Sequence, residues 1–204
     1  MEPNSRIQAG AIVKSQTLLT IHSESILIPD QRRLIHLQFR RFAGCPVCDL
    51  HLHSIVQRHE EIVAASIREV VVFHSTVNDL RPHAADLPFA VIADPAKRLY
   101  AAFGVESGRR ALLDPRAWLP ALRGIARSLR LVLRGKQPLP AINPDGGSLG
   151  LPADFLIASD GRVLASKYGA HAFDQWSVDE ILGLACMEHN PQRIHGSVDA
   201  LHHI

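Results

Sequence analysis

The chain predicts a mixed α/β domain, on three observations. Strand-like apolar runs alternate with helical patterns through residues 33–103, a hairpin signal and an amphipathic helix follow near the end, and a Cys-x-x-Cys pair stands where an apolar run gives way to a helical one. Parallel crossovers fit the middle and an antiparallel hairpin the end, which makes a central mixed sheet flanked by helices. With 204 residues, 47% of them hydrophobic and 21% charged, the chain can bury one full core, and disorder is excluded as its dominant state. The expected organisation is a single domain over residues 1–190, carrying an insertion at about 106–150, then a tail at 191–204.

In chain order, residues 17–21 and 25–28 read as two short strands, and the turn signal Pro29-Asp30 leads into a third at 33–39, where Leu34, Ile35, Leu37 and Phe39 are apolar. A helix is expected over 46–65, because Leu52, Ile55, Val56, Ile62 and Val63 follow the 3.6-residue period. The β-branched run at 69–73 is of the kind that fills a strand covered on both faces. A short helix at 78–85, with Asn78 or Asp79 near its cap, precedes a strand at 88–93. Asp94 can then cap a helix at 95–103. Strands at 153–158 and 162–167 flank Ser159-Asp160-Gly161, and a closing helix at 176–187 takes Asp174 or Ser177 as its cap. Cys186 falls beside Leu182 and Leu184 in that helix, so a core position is expected for it.

The pair Cys45 and Cys48 carries the chemistry. A turn at Ala43-Gly44 would put Cys45 at the start of a helix with Pro46 in its first position, where the missing N–H costs nothing. Unsatisfied backbone N–H groups and the positive end of the helix dipole favour thiolate there, and Arg40 and Arg41 add positive charge. Cys45 is therefore the expected nucleophile. Cys48, one turn on, is placed to resolve a mixed disulfide or a sulfenic acid on Cys45. Strand alternation sends Arg40 and Arg41 to opposite faces, so at most one can face the site. The competing reading is a metal site in which His51 extends the pattern to Cys-x-x-Cys-x-x-His, but structural zinc usually needs a second ligand pair and no second Cys pair is present.

Three cysteines are too few for a disulfide-stapled secreted scaffold, which points to a reducing compartment and a cytoplasmic location. The first residues carry no basic segment leading into an apolar run, and no stretch reaches the ~18 apolar residues of a membrane span. The net charge of +2 hides an asymmetry: residues 108–136 hold eight basic side chains against the single acid Asp114, giving +7, while the remainder carries −5. Arg123, Arg127, Arg130 and Arg134 form one helical stripe, and Trp118, Leu122, Ile125, Leu129 and Val132 the opposite one. Such a helix can pack on its own domain, contact a partner or a second copy in a homodimer, or meet an anionic surface. With aromatic residues at 5% no base-stacking platform is evident, so nucleic acid is not an expected partner.

The stretch Leu37-Gln-Phe-Arg-Arg-Phe-Ala-Gly-Cys-Pro-Val-Cys-Asp-Leu-His51, with Glu69-Val-Val-Val-Phe-His-Ser75, Leu87-Pro-Phe-Ala-Val-Ile-Ala-Asp94 and Leu151-Pro-Ala-Asp-Phe-Leu-Ile-Ala-Ser-Asp-Gly161, resembles the peroxiredoxin-like proteins of the alkyl hydroperoxide reductase/thiol-specific antioxidant group. The resemblance implies a thioredoxin-like fold, here with an N-terminal β extension and a basic helical insertion. It implies catalysis by Cys45 and Cys48, and substrate positioning by Leu151 and Pro152 together with Arg40 or Arg41. Pro152 would be the proline that is usually cis in that family and faces the nucleophile. Typical members place Thr three residues and Pro seven residues before the peroxidatic Cys, whereas this chain has Phe42 and Gln38.

The expectation is a thiol-dependent antioxidant oxidoreductase that reduces peroxides or protein disulfides, is reset by an external dithiol reductant of the thioredoxin or glutathione type, and needs no metal, flavin or nicotinamide. The alternative is a non-catalytic thioredoxin-like binding module that recruits a partner through its basic helix.

Overall fold

The central strand, β3 (Leu34–Arg40), is buried along all seven residues although its side chains alternate in character. Ile35, Leu37 and Phe39 point to one apolar core, whereas Leu34, His36, Gln38 and Arg40 point to the other side of the sheet. Both faces must therefore be covered. The computed structural model describes residues 6–105 and 150–189, together with positions 122, 125, 126, 129, 130, 133 and 134.

Five strands form the main sheet in the order β5-β4-β3-β6-β7. β4 (Ile67–Phe73) and β5 (Ala90–Ala93) run parallel to β3, and β6 (Ala153–Ile157) and β7 (Val163–Tyr168) add an antiparallel hairpin on its other side. The mixed sheet and terminal hairpin match the expectation. On one face, α1 (Pro46–Gln57), α2 (His59–Ala64), α3 (Val77–Ala84) and α5 (Val178–His189) supply Leu52, Ile55, Ile62, Leu80 and Ile181 to the core. On the other, α4 (Arg98–Ala102) and the chain just after it bring Tyr100 and Phe103 against Phe39, with ring centroids 5.0 and 5.2 Å away. Offset and edge contacts of this kind add about 0.5–1.5 kcal/mol beyond area burial.

The N-terminal extension is a separate two-stranded sheet, β1 (Gln16–Leu19) and β2 (Ser25–Ile28), whose Ile26 and Ile28 join the Phe39 core. Its flanks reach both borders of the main sheet. The Ile21 N–H donates to the Val91 carbonyl of β5 at 2.9 Å, and the Gly10 N–H to the Val163 carbonyl of β7 at 2.8 Å.

Several expectations are corrected. The cysteine helix is not continuous to residue 65, because the backbone breaks at Arg58 (φ −116°, ψ 21°), whose guanidinium ties Glu61 to Asp179 at 2.8 and 2.7 Å. Thr76, rather than Asn78 or Asp79, caps α3 by accepting from the Asp79 N–H. Cys186 is exposed on the outer side of α5, since the neighbouring Ala185 takes the core position. Asp94 does terminate its helix, accepting from the N–H groups of Arg98 (3.0 Å) and Leu99 (2.8 Å), although α4 begins only at Arg98. Ser177 and Glu180 form a capping box at α5.

Of the predicted basic helix, Leu122, Ile125, Leu129, Arg130 and Arg134 are described and exposed. Trp118, Arg123, Arg127, Val132, most of the 106–150 insertion and the 191–204 tail lie outside the described residues. Among the described residues, no helix is long and apolar enough to cross a membrane.

Candidate active site

β3 ends at Arg40, and the chain turns over the carboxyl end of the sheet before α1 begins. The turn closes with the Cys45 N–H donating to the Phe42 carbonyl at 3.2 Å, and Gly44 occupies its third position with φ +71°, which only glycine adopts at little cost. Neighbouring β4 steadies the loop: the Ser75 hydroxyl accepts from the Ala43 N–H (2.9 Å), and the His74 N–H donates to the Arg41 carbonyl (3.3 Å). Cys45 is the N-cap of α1 and Pro46 its first residue, as the sequence predicted.

The two sulfurs are brought together. Both cysteines are 2% exposed, their side chains share a hydrogen bond, and no disulfide joins them. Burial pushes the Cys48 thiol well above its ordinary range, and the bond to Cys45 pushes it further against the opposing charge of Arg41. Cys48 is thus the proton-bearing partner. Cys45 stands at the helix N-terminus, where backbone N–H groups and the helix dipole favour negative charge. Phe42, Ala172 and Phe173 pack around the pair, and the sulfurs open onto a cavity of about 20 Å³, lined also by Gly44, Asp49, Leu52, Leu80 and His83.

The two arginines separate as strand alternation requires. Arg41 lies beside Cys48, with its guanidinium 5.4 Å from the centre of the Phe42 ring. Arg40 turns to the opposite side and is fully buried, 2.8 Å from Asp154 and 2.6 Å from the Gln38 side-chain Oε1. His36 completes the cluster, 2.8 Å from Glu69 and 3.3 Å from Asp154, while the Gln38 amide donates to Glu69. Burial disfavours a charged His36, but Glu69 and Asp154 overcome it and raise its pKa to about 9. Burial likewise opposes an ionised Asp154, yet Arg40 and His36 outweigh it and hold the carboxyl well below the usual range. Two cations then face two anions. The departure at Gln38 is explained by this cluster, and the one at Phe42 by its packing on the cysteines.

Leu151 and Pro152 run over the same end of the sheet, since Ala153 pairs with Phe39, but neither lines the sulfur cavity. The peptide bond before Pro152 is trans; the cis X-Pro bond among the described residues is Ile28–Pro29. Pro152 is instead held by its carbonyl, which accepts from the Gly169 N–H at 2.9 Å, and by its ring against Gly169. His51 faces the charged cluster; burial and then the Arg40 charge lower its pKa to about 3, so it is neutral. Among the described residues no three His, Cys, Asp or Glu side chains gather into a metal-binding group. His83 was missed by sequence reasoning. It comes from α3, and the only local sign of it is the glycine at position 44, where a Cβ would fall 2.7 Å from the His83 ring.

A sheet of this topology with a Cys-x-x-Cys pair at the first crossover helix defines a dithiol protein of the thioredoxin fold. The chain belongs to the AhpC/TSA antioxidant enzyme family, whose model matches residues 54–171, more than half of its length. The matched span begins after Cys48, so the cysteine pair rests on this chain's own geometry. Solved structures agree on the fold. Peroxidoxin BcpB from Mycobacterium tuberculosis superposes with a TM-score of 0.63 at 15% identity, over 89% of this chain and 97% of that one. A mutant peroxiredoxin 6 of Arenicola marina gives 0.66 at 14% identity, over 91% and 74%. A thiol peroxidase from Chromobacterium violaceum gives 0.57 at 13%, over 93% and 91%. No curated protein matches the sequence.

Proposed function

We propose that the protein is a thiol peroxidase in which Cys45 is the nucleophile and Cys48 the resolving thiol. The observation that carries this reading is the paired sulfurs, with Cys45 at the helix N-terminus and Cys48 held as the thiol, facing a cavity of about 20 Å³. A volume of roughly 10–15 Å³ on that measure admits one water, so a small peroxide fits better than a bulky hydroperoxide or a protein disulfide. The Cys45 thiolate attacks one peroxide oxygen, the O–O bond breaks, and the other oxygen leaves as water or alcohol after taking a proton. Cys48 attacks the resulting sulfenic acid, the disulfide forms and a second water leaves. An external dithiol of the thioredoxin or glutathione type, itself oxidised to a disulfide, restores both thiols, which fits a reducing cytoplasm. No cofactor enters this sequence.

The test is reductant-coupled consumption of hydrogen peroxide and of cumene hydroperoxide, beside insulin-disulfide reduction, in a Cys186→Ser background. Cys45→Ser abolishes turnover; Cys48→Ser gives a single turnover that stops at the sulfenic acid; hydrogen peroxide is the better substrate. Undiminished activity in Cys45→Ser overturns the assignment. A binding-module reading draws on the exposed Leu122, Ile125, Leu129 and Leu133. It requires that Cys45 resist alkylation well below the ordinary thiol pKa of ~8.5.

A further inference from the structure

We propose that His83 is the proton carrier of the cysteine pair, taking the Cys48 proton as Cys48 attacks and delivering it to the group that leaves. The proposal rests on the peroxidase reading for its first step and adds a residue to the second. Closing the disulfide requires Cys48 to lose its proton in a site that excludes bulk water. A base inside the site is therefore needed.

Three histidines near the end of the sheet, the buried His51 and His74 and the half-buried His83, have a ring nitrogen without a hydrogen-bond partner among the described residues. Only His83 shares the cavity with both sulfurs. A Cβ on Gly44 would fall 2.7, 3.0 and 3.1 Å from its Cε1, Nε2 and Nδ1, so the ring lies directly against the residue preceding Cys45. The charges around the three also differ. A cation on His51 is opposed by Arg40, His36 and Lys167, and one on His74 by Lys97 and Arg41. Around His83 the charged groups are Asp49 from α1 and Asp79 from its own helix, both of which favour an imidazolium, while burial keeps the resting ring neutral. A ring that is neutral at rest and supported when charged can take a proton and return it. The cavity has room for one water to bridge the ring and the sulfur.

The step balances. Cys45–SOH and Cys48–SH become the Cys45–Cys48 disulfide and water; the S–O bond breaks, the S–S bond forms, and the Cys48 proton passes through His83 to the departing hydroxide. With a mixed disulfide on Cys45 the same proton goes to the leaving thiolate.

The experiment is rapid quenching with mass spectrometry of the Cys186→Ser protein after a pulse of hydrogen peroxide or of hydroxyethyl disulfide, between pH 5 and 9. Sulfenic acid or mixed disulfide is counted separately from the closed disulfide. His83→Gln should slow closure by about a hundredfold at pH 7, the usual scale of a general base, and by far more than any change in the first phase. Closure in the variant should rise with pH up to the ionisation of Cys48 itself, and added imidazole should restore part of the rate in His83→Ala. Asp49→Asn should slow closure by a smaller factor. A closure rate and pH profile indifferent to His83→Gln overturn the proposal and leave the peroxidase reading standing. A normal mixed-disulfide phase without any sulfenic phase in the parent protein overturns the peroxidase reading alone, and His83 is then judged on the disulfide substrate.

Discussion

Two buried polar regions lie on either side of α1, and they are built on opposite principles. In the cluster beneath the helix, His36, Arg40, Glu69 and Asp154 match charge with charge, and Gln38 bridges Arg40 to Glu69, although His36 Nε2 and Arg40 Nε are left without a hydrogen-bond partner among the described residues. At the helix N-terminus the groups are of another kind: two thiols share a hydrogen bond beside the His83 ring, which lines the same cavity. Ion pairs matched in this way fix the strand. Thiols and an imidazole can exchange protons and electrons where fixed ion pairs cannot.

The sharpest way to break the first region is Asp154→Ala, which leaves Arg40 without its buried carboxylate and the cluster with one excess positive charge. The expected loss is about 3–5 kcal/mol, seen as a fall of roughly 10 °C in the thermal midpoint. Cys45 in the folded fraction should keep its alkylation rate, because Asp154 does not line the sulfur cavity. An undisturbed melting temperature would mean the cluster contributes nothing.

The pH dependence of stability separates the regions next. His36, raised to about 9 from 6.5, binds its extra proton only when folded, so its stabilisation is complete below pH 6.5 and is lost as the pH climbs to about 9. His51, lowered to about 3, acts in the other direction: below 6.5 the unfolded chain takes up a proton that the folded one refuses, and stability declines toward pH 3. The slopes meet near pH 6.5, where the thermal midpoint should peak. His36→Gln should lower the whole curve and flatten its alkaline side, and a curve still falling between 6.5 and 9 would contradict the assignment.

The smallest of these effects belongs to Gly44→Ala. A left-handed conformation costs an alanine about 1–2 kcal/mol, and the added methyl must also displace His83. The melt should shift by a few degrees while disulfide closure slows out of proportion. Equal, small changes in both would show that the ring does not matter to the thiols.

The frame of the domain and the cysteine pair were legible because their signals are local: a β-branched run, an aspartate before a helix, two thiols three residues apart after an apolar strand. The charged cluster was not. His36, Gln38 and Arg40 alternate with Ile35, Leu37 and Phe39, the pattern of a strand wet on one side, and their partners Glu69 and Asp154 lie 31 or more residues away. His83 was hidden for the same reason, since a histidine in a short polar helix reads as solvated until the fold lays it on Gly44. The break at Arg58 escaped because Ile62 and Val63 kept the helical period across it. The place of Cys186 was misjudged because α5 turns Ala185 inward.

The N-terminal extension has a consequence for the two open borders of the sheet. β5 and β7 are the open borders of the sheet, and residues near 10 and 21 of one short segment hydrogen-bond to both. Unpaired border strands are templates for strand addition by a neighbouring chain. Trimming the first two dozen residues should therefore produce aggregation at concentrations the full chain tolerates, with the cysteine helix still folded in what remains soluble.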